Sequence, residues 1–220
     1  MRKNKKEYAL KIIKILDRDY HSVKCALNFS TPFELLTAVI LSAQCTDKRV
    51  NKITENLFKR YKSIKDYANA DVLELESYII SAGFFRNKAK NIIKSAQLIT
   101  NKYNGKVPQT MEGLLELPGV ARKTANVVLG SAFGKTEGIA VDTHVIRIAN
   151  LLKLTKYGDP VKIEKDLMEI VPKEYWINFP FLIQTLGRMI CKAKKPRHTV
   201  CPLNAICLSY KKNNATTSIL

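Results

Sequence analysis

The run Leu117-Pro118-Gly119-Val120-Ala121-Arg122-Lys123-Thr124-Ala125 places an amine where it could become a nucleophile. Gly119 permits a tight turn after one short helix, and a second helix begins within a few residues, so the run is expected to form a helix-hairpin-helix. Backbone N–H groups at the start of the second helix have no partner within it and can hold a nucleic-acid phosphate. The same turn could serve packing alone. Lys123 sits in the first turn, where the helix macrodipole is positive and Arg122 adjoins; both disfavour an ammonium. An amine that gives up its proton readily suits Schiff-base chemistry. One that keeps it is a further phosphate-holding cation, and the residue alone leaves both readings open. Asp142, in Val141-Asp142-Thr143-His144, is open in the same way. It is either a helix N-cap or a carboxylate that stabilises positive charge developing at a reacting centre. His144 is assigned a structural role with a local partner.

A second constellation lies near the end of the chain. Cys191, six residues, His198, two residues, Cys201, five residues and Cys207 give four nitrogen and sulfur donors in a short loop. Such spacing indicates a metal site, and the donor set suits either tetrahedral zinc or an iron–sulfur group.

Helices are expected to position these residues, because helix signals recur and strand signals are nearly absent. Thr31-Pro32-Phe33-Glu34 is a capping box with Pro at the first helical position, opening the apolar run Leu35 to Leu41. Thr46-Asp47 caps a helix through Phe58, Asp71 opens one that ends before Gly83, and a long helix covers Asn87 to Tyr103. Further helices are expected at Met111 to Leu117, Arg122 to Ala132, Asp142 to about Leu154 and Asp159-Pro160 to Pro172. A last one should span Tyr175 to Ile190, with a kink at Pro180. The fold class is all-α, with a C-terminal metal-binding loop. Residues 21–133 are assigned to a central lobe, 1–20 plus 134–211 to a second lobe, and 212–220 to a flexible tail.

Composition narrows the partner. The 220 residues are 46% hydrophobic and 25% charged, which supports an ordinary buried core. Lys and Arg number 37 against 19 Asp and Glu, a net charge of +18 that calls for a polyanion. Ribosomal and membrane-surface proteins share that balance, so charge and globularity favour nucleic acid without naming one. No stretch approaches the roughly 20 apolar residues that span a bilayer. Leu10, Ile12, Ile13, Ile15 and Leu16 are interrupted by Lys11 and Lys14, the pattern of an amphipathic helix and not of a signal peptide. The expected location is cytoplasmic and nucleoid-associated, where thiols stay reduced and five cysteines need a purpose other than disulfides.

Taken together, Leu117 to Asn126 and Val141-Asp142-Thr143-His144 resemble the signature of the endonuclease III family of helix-hairpin-helix DNA glycosylases, and the similarity extends from Leu27-Asn28-Phe29-Ser30 to Cys207. The resemblance implies two helical lobes flanking a DNA-binding cleft, and a monomeric base-excision repair enzyme that acts on double-stranded DNA bearing a damaged pyrimidine or an abasic site. The damaged nucleotide is flipped out, and the strand is cleaved by β-elimination through a lysine Schiff base. It implies Lys123 as nucleophile and Asp142 as the essential carboxylate, with Gly119, Ala121 and Arg122 on phosphate. Ala121 stands where the family usually has a second glycine. Ile40-Leu41-Ser42-Ala43-Gln44 is similar to the stretch carrying a DNA-inserting glutamine, and Gly83-Phe84-Phe85-Arg86-Asn87-Lys88-Ala89 to the wedge loop, with Phe84 in place of the usual leucine. The four-donor spacing matches the family's [4Fe–4S] ligands except that His198 replaces the second cysteine, which keeps zinc or a degenerate site in view. Lys194 and Arg197 beside it would meet phosphate, and the cluster would act as a structural staple. The alternatives are a monofunctional glycosylase, whose group lacks a lysine at the place of Lys123, and a non-catalytic helix-hairpin-helix binding module.

Overall fold

The computed structural model describes residues 2–20 and 23–210, and among these there are helices and turns but no strand. The proposed lobe boundary at residue 21 and the tail 212–220 lie outside the described residues. The chain opens with α1 (Arg2–Asp19). Ala9, Ile12, Ile13 and Leu16 are wholly buried along it while Lys11 and Lys14 stay exposed, the spacing of a one-sided helix.

Residues Cys25–Glu137 form one compact unit. Its centre is α2 (Pro32–Ser42), in which every residue from Leu35 to Leu41 is buried. A helix apolar on all sides belongs inside, and α2 packs on three later helices of the unit. The capping box forms as expected: Thr31 Oγ1 accepts from the Glu34 N–H at 3.2 Å, and the Glu34 carboxylate accepts from the Thr31 N–H at 3.1 Å. From the Thr46 cap, α3 (Asp47–Arg60) buries Val50, Ile53 and Leu57. Then α4 (Ile64–Ala68), α5 (Val72–Ile79) with a 3₁₀ turn Ile80–Ala82, and α6 (Phe85–Lys102) come in order. The unit closes with α7 (Met111–Leu115) and α8 (Arg122–Phe133). The sequence reading missed α4, since five residues are too few to show a hydrophobic period. Its signal was the capping box of Ser63 with Asp66, and Tyr67 on it stacks between Phe33 and Tyr61 at centroid distances of 5.1 and 4.9 Å.

The other unit joins α1 to the residues from Gly138 onward. These carry α9 (Thr143–Leu151), α10 (Pro160–Ile170), a 3₁₀ turn Lys173–Tyr175 and α11 (Asn178–Met189). The buried face of α1 shares one core with Val145, Ile148, Leu167, Phe179, Ile183, Leu186 and Leu203. Pro180 does not kink a helix. It occupies the third position of α11, in the first turn, where its missing N–H is no loss, and the chain before it is a separate 3₁₀ turn. Each buried aliphatic side chain contributes about 1.5–3 kcal/mol. Exposed pairs such as Lys59–Glu55 contribute about 0–1 kcal/mol, so the cores and not the ion pairs set the fold.

Candidate active site

The hairpin is built by anchoring both ends of a turn. Leu117 and Val120 are buried, the Val120 N–H donates to the Leu117 carbonyl at 3.1 Å, and the Ser95 hydroxyl donates to the Pro118 carbonyl at 3.2 Å. Between them Gly119 takes φ +80°, and a Cβ there would lie 2.6 Å from Asn91 Nδ2. Glycine is therefore required twice over, by backbone conformation and by space. Ala121, the N-cap of α8, has φ −95° and ψ 169°. That is ordinary extended backbone, so the methyl group is accommodated without strain. Ala121 gives α8 no side-chain cap, which leaves the first turn open to an external acceptor such as phosphate. Lys123 is the second residue of α8 and is exposed.

Asp142, half-buried, caps α9: its Oδ1 accepts from the Val145 N–H at 2.8 Å. The N-cap role anticipated for it is thus occupied, with the second carboxylate oxygen left for another partner. His144, two residues on, has local partners. Its Nδ1 lies 3.5 Å from Arg147 Nη2, and Gly187 on α11 makes room for its ring.

Gln44 and Phe84 are surface residues in turns, and both have left-handed backbone, φ 54° and φ 48°. Phe84 is 66% exposed, so its ring is not spent on packing a core. Left-handed non-glycine residues store strain and cluster at functional positions.

In the other unit, Cys191, His198, Cys201 and Cys207 border one pocket of about 290 Å³ beneath which Leu203 is buried. The loop folds back on the end of α11: the Arg197 N–H donates to the Ile190 carbonyl at 3.0 Å. Arg147 reaches from α9 to the Cys191 carbonyl at 2.6 Å. Burial pushes the Cys191 thiol up, with the Arg147 guanidinium opposing it, and burial likewise raises Cys201. The His198 ring is exposed and stacks on Tyr210 at 4.9 Å. The donors border the pocket instead of meeting at a point; among the described residues no group of three or more His, Cys, Asp or Glu is drawn together as a ligand set. Lys194 and Arg197 are exposed on the same loop.

Residues 37–173 match the HhH-GPD superfamily of base excision DNA repair proteins. The chain is 51% identical over 206 residues to endonuclease III of Synechocystis sp., covering 94% of both chains. It is 45% identical over 212 residues to endonuclease III of Bacillus subtilis, covering 96% of both. The chain belongs to the endonuclease III family. Its structure agrees: it superposes on a trapped endonuclease III–DNA covalent intermediate with a TM-score of 0.89 at 43% identity, covering 95% of this chain and 98% of that one.

The endonuclease III family is generally associated with a [4Fe–4S] cluster. The residues here fit such a group in the chemistry of their donors, three soft thiols and one imidazole around a single pocket. No described helix is long and apolar enough to cross a membrane. Two residues, Lys88 of the wedge-loop stretch and Arg147, have structural partners that no motif assigned to them. Lys88 sits on the face of α6 that also carries Ala89, Ile92, Ala96 and Ile99, a helical period that could have marked it as buried. Arg147 carried no signal beyond helical spacing from His144, because its partner is a backbone carbonyl 44 residues away.

Proposed function

We propose that this chain excises damaged pyrimidine bases from duplex DNA and then cleaves the strand at the abasic site, as a DNA glycosylase and abasic-site lyase of base excision repair. The observation that carries this reading is Lys123, exposed on the first turn of α8 directly after the hairpin. The uncapped N–H groups of that turn bind a backbone phosphate, and the amine beside them faces the adjoining deoxyribose. Lys123 Nζ attacks the anomeric carbon as the bond from that carbon to the base breaks, and the Asp142 carboxylate stabilises the positive charge that develops on the sugar. The ring opens to an imine. Loss of the adjacent C2′ proton then breaks the C3′–O bond and releases the 3′ phosphate, and water frees the lysine. Gln44 and Phe84 fill the duplex where the nucleotide has left, an aromatic side chain replacing lost stacking. A trapped covalent DNA intermediate of an endonuclease III is consistent with this chemistry.

Cys191, His198, Cys201 and Cys207 would hold a [4Fe–4S] cluster, with His198 ligating through a ring nitrogen. Bound there, the group supplies cross-linking of the loop, which presents Lys194 and Arg197 to phosphate. The protein acts as a monomer in the cytoplasm, on nucleoid DNA. Borohydride reduction in the presence of abasic or oxidised-pyrimidine duplex tests the central step. The expected result is a covalent adduct that Lys123→Gln abolishes while duplex affinity changes little. An adduct of normal yield from the variant refutes Lys123 as nucleophile, and no adduct from the parent protein reduces the reading to a monofunctional glycosylase or a binding module.

A further inference from the structure

Lys88, the fourth residue of α6, is 5% exposed. Its ammonium donates to three backbone carbonyls: Leu41 at 2.8 Å, Ala43 at 2.7 Å and Ala82 at 2.9 Å. An ammonium has three donors and no acceptor, so its capacity is filled. The carbonyls are also accounted for. At the end of α2, Val39 accepts from the Ser42 hydroxyl, Ile40 from the Ala43 N–H and Ser42 from the Cys45 N–H. Leu41 and Ala43 are completed by Lys88. A cation at a helix C-terminus is also where the macrodipole favours one.

The two groups of carbonyls belong to different turns. Ala43 immediately precedes Gln44, and Ala82 lies two residues before Phe84. Both Gln44 and Phe84 have left-handed backbone, which persists only where the surroundings hold it. A second tie reaches the Ala82 turn from the first turn of α3, where Arg49 Nη1 donates to the Ser81 carbonyl at 3.4 Å. An apolar side chain in this space would leave the Leu41, Ala43 and Ala82 carbonyls without the donor that Lys88 supplies, so the ammonium is kept for the hydrogen bonds that join the two turns and not for packing. We infer that Lys88 is a positioning residue for nucleotide extrusion: by gripping the carbonyls of both turns, it fixes Gln44 relative to Phe84 so that the two side chains enter the duplex as one unit. This rests on the reading of Gln44 and Phe84 as duplex-inserting residues. Lys88 itself touches no DNA.

The test compares the full-length protein with Lys88→Met and Lys88→Arg on two substrates carrying the same damaged pyrimidine, one in a fully paired duplex and one in a preformed bubble. Extrusion is followed by 2-aminopurine fluorescence next to the lesion, base release by single-turnover kinetics, and folding by thermal melts. Extruding a paired base costs a few kcal/mol, so Lys88→Met should lose ~10-fold or more in fluorescence amplitude and rate on the paired duplex but under ~3-fold on the bubble. Arginine keeps the charge, but its planar fork cannot direct three donors as an ammonium does, so Lys88→Arg should show the same selective loss. Equal losses on both substrates, no loss, full rescue by arginine, or failure of both variants to fold at the assay temperature overturns the proposal. Gln44→Ala and Phe84→Ala separate the two layers of the argument. If they lose nothing on paired DNA, the insertion reading itself fails; if they lose activity there and Lys88→Met does not, only the role of Lys88 fails.

Discussion

Asp142 caps α9 and is proposed as the catalytic carboxylate, and chemistry can separate the two roles. The Oδ1 contact with the Val145 N–H at 2.8 Å is an N-cap, which asparagine makes about as well as aspartate. Asp142→Asn should therefore leave the melting temperature near that of the parent while removing the charge. If the carboxylate stabilises the developing cation, base release falls by ~10²–10³-fold, the range for losing one preorganised electrostatic partner. Asp142→Ala should show the same catalytic loss and, in addition, cost about 1 kcal/mol of stability from the missing cap. Single-turnover kinetics beside denaturant melts reads both quantities, and an asparagine variant of full activity would leave Asp142 as a cap alone. The residue types alone left both roles open, and only the family resemblance favoured the carboxylate role. The cap depends on local backbone that the motif itself dictates, so it was foreseeable; the charge role depends on what lies beyond the helix.

At the scale of elements, the hairpin shows how closely a turn constrains its residues. Gly119 is held at φ +80° with Asn91 where a Cβ would go, whereas Ala121 at φ −95° is unconstrained. Gly119→Ala should cost about 1–3 kcal/mol in denaturant unfolding, as expected for a strained left-handed residue, and weaken duplex binding because the phosphate-holding turn shifts. Ala121→Gly, which restores the residue usual in the family, should change affinity by less than ~3-fold, since no positive φ is relieved there. A large gain from that substitution would contradict the geometry. The caps explain why most elements were legible beforehand. Thr31, Thr46, Asp71, Asp142 and Asp159 each accept from an N–H three residues on. That rule is local and written in adjacent residues. Pro180 was misjudged because a proline inside an apolar run is either a kink or a first-turn residue, and the choice depends on where the preceding 3₁₀ turn ends.

For the molecule as a whole, Leu203 is the one buried residue among residues 191–210, so a bound metal group would add most to the stability of the cysteine loop. Purified protein is expected to carry iron and sulfide with the visible absorption of thiolate-bound iron, and removing the metal should lower the melting transition of the unit that contains α1 and α9 to α11. His198→Cys should hold the metal more firmly and shift its reduction potential downward, because thiolate replaces neutral imidazole. Zinc alone in the purified protein would replace the iron–sulfur assignment.

Residue order and residue chemistry were enough to establish the helical class, most helix starts, the hairpin with its obligatory glycine, the spacing of four candidate metal donors, and a net charge of +18 that calls for a polyanion. All of these depend on neighbours a few positions apart or on simple counts. Which side chains are spent on holding the chain emerged from packing alone. Packing placed the Lys88 ammonium on carbonyls 47 and 45 residues away, tied Arg147 to the Cys191 backbone, and left Phe84 in solvent instead of in a core. The physical reason is that backbone carbonyls are the same at every position. A motif can name a donor, but which carbonyls remain unfilled is settled only once the helices have ended and packed.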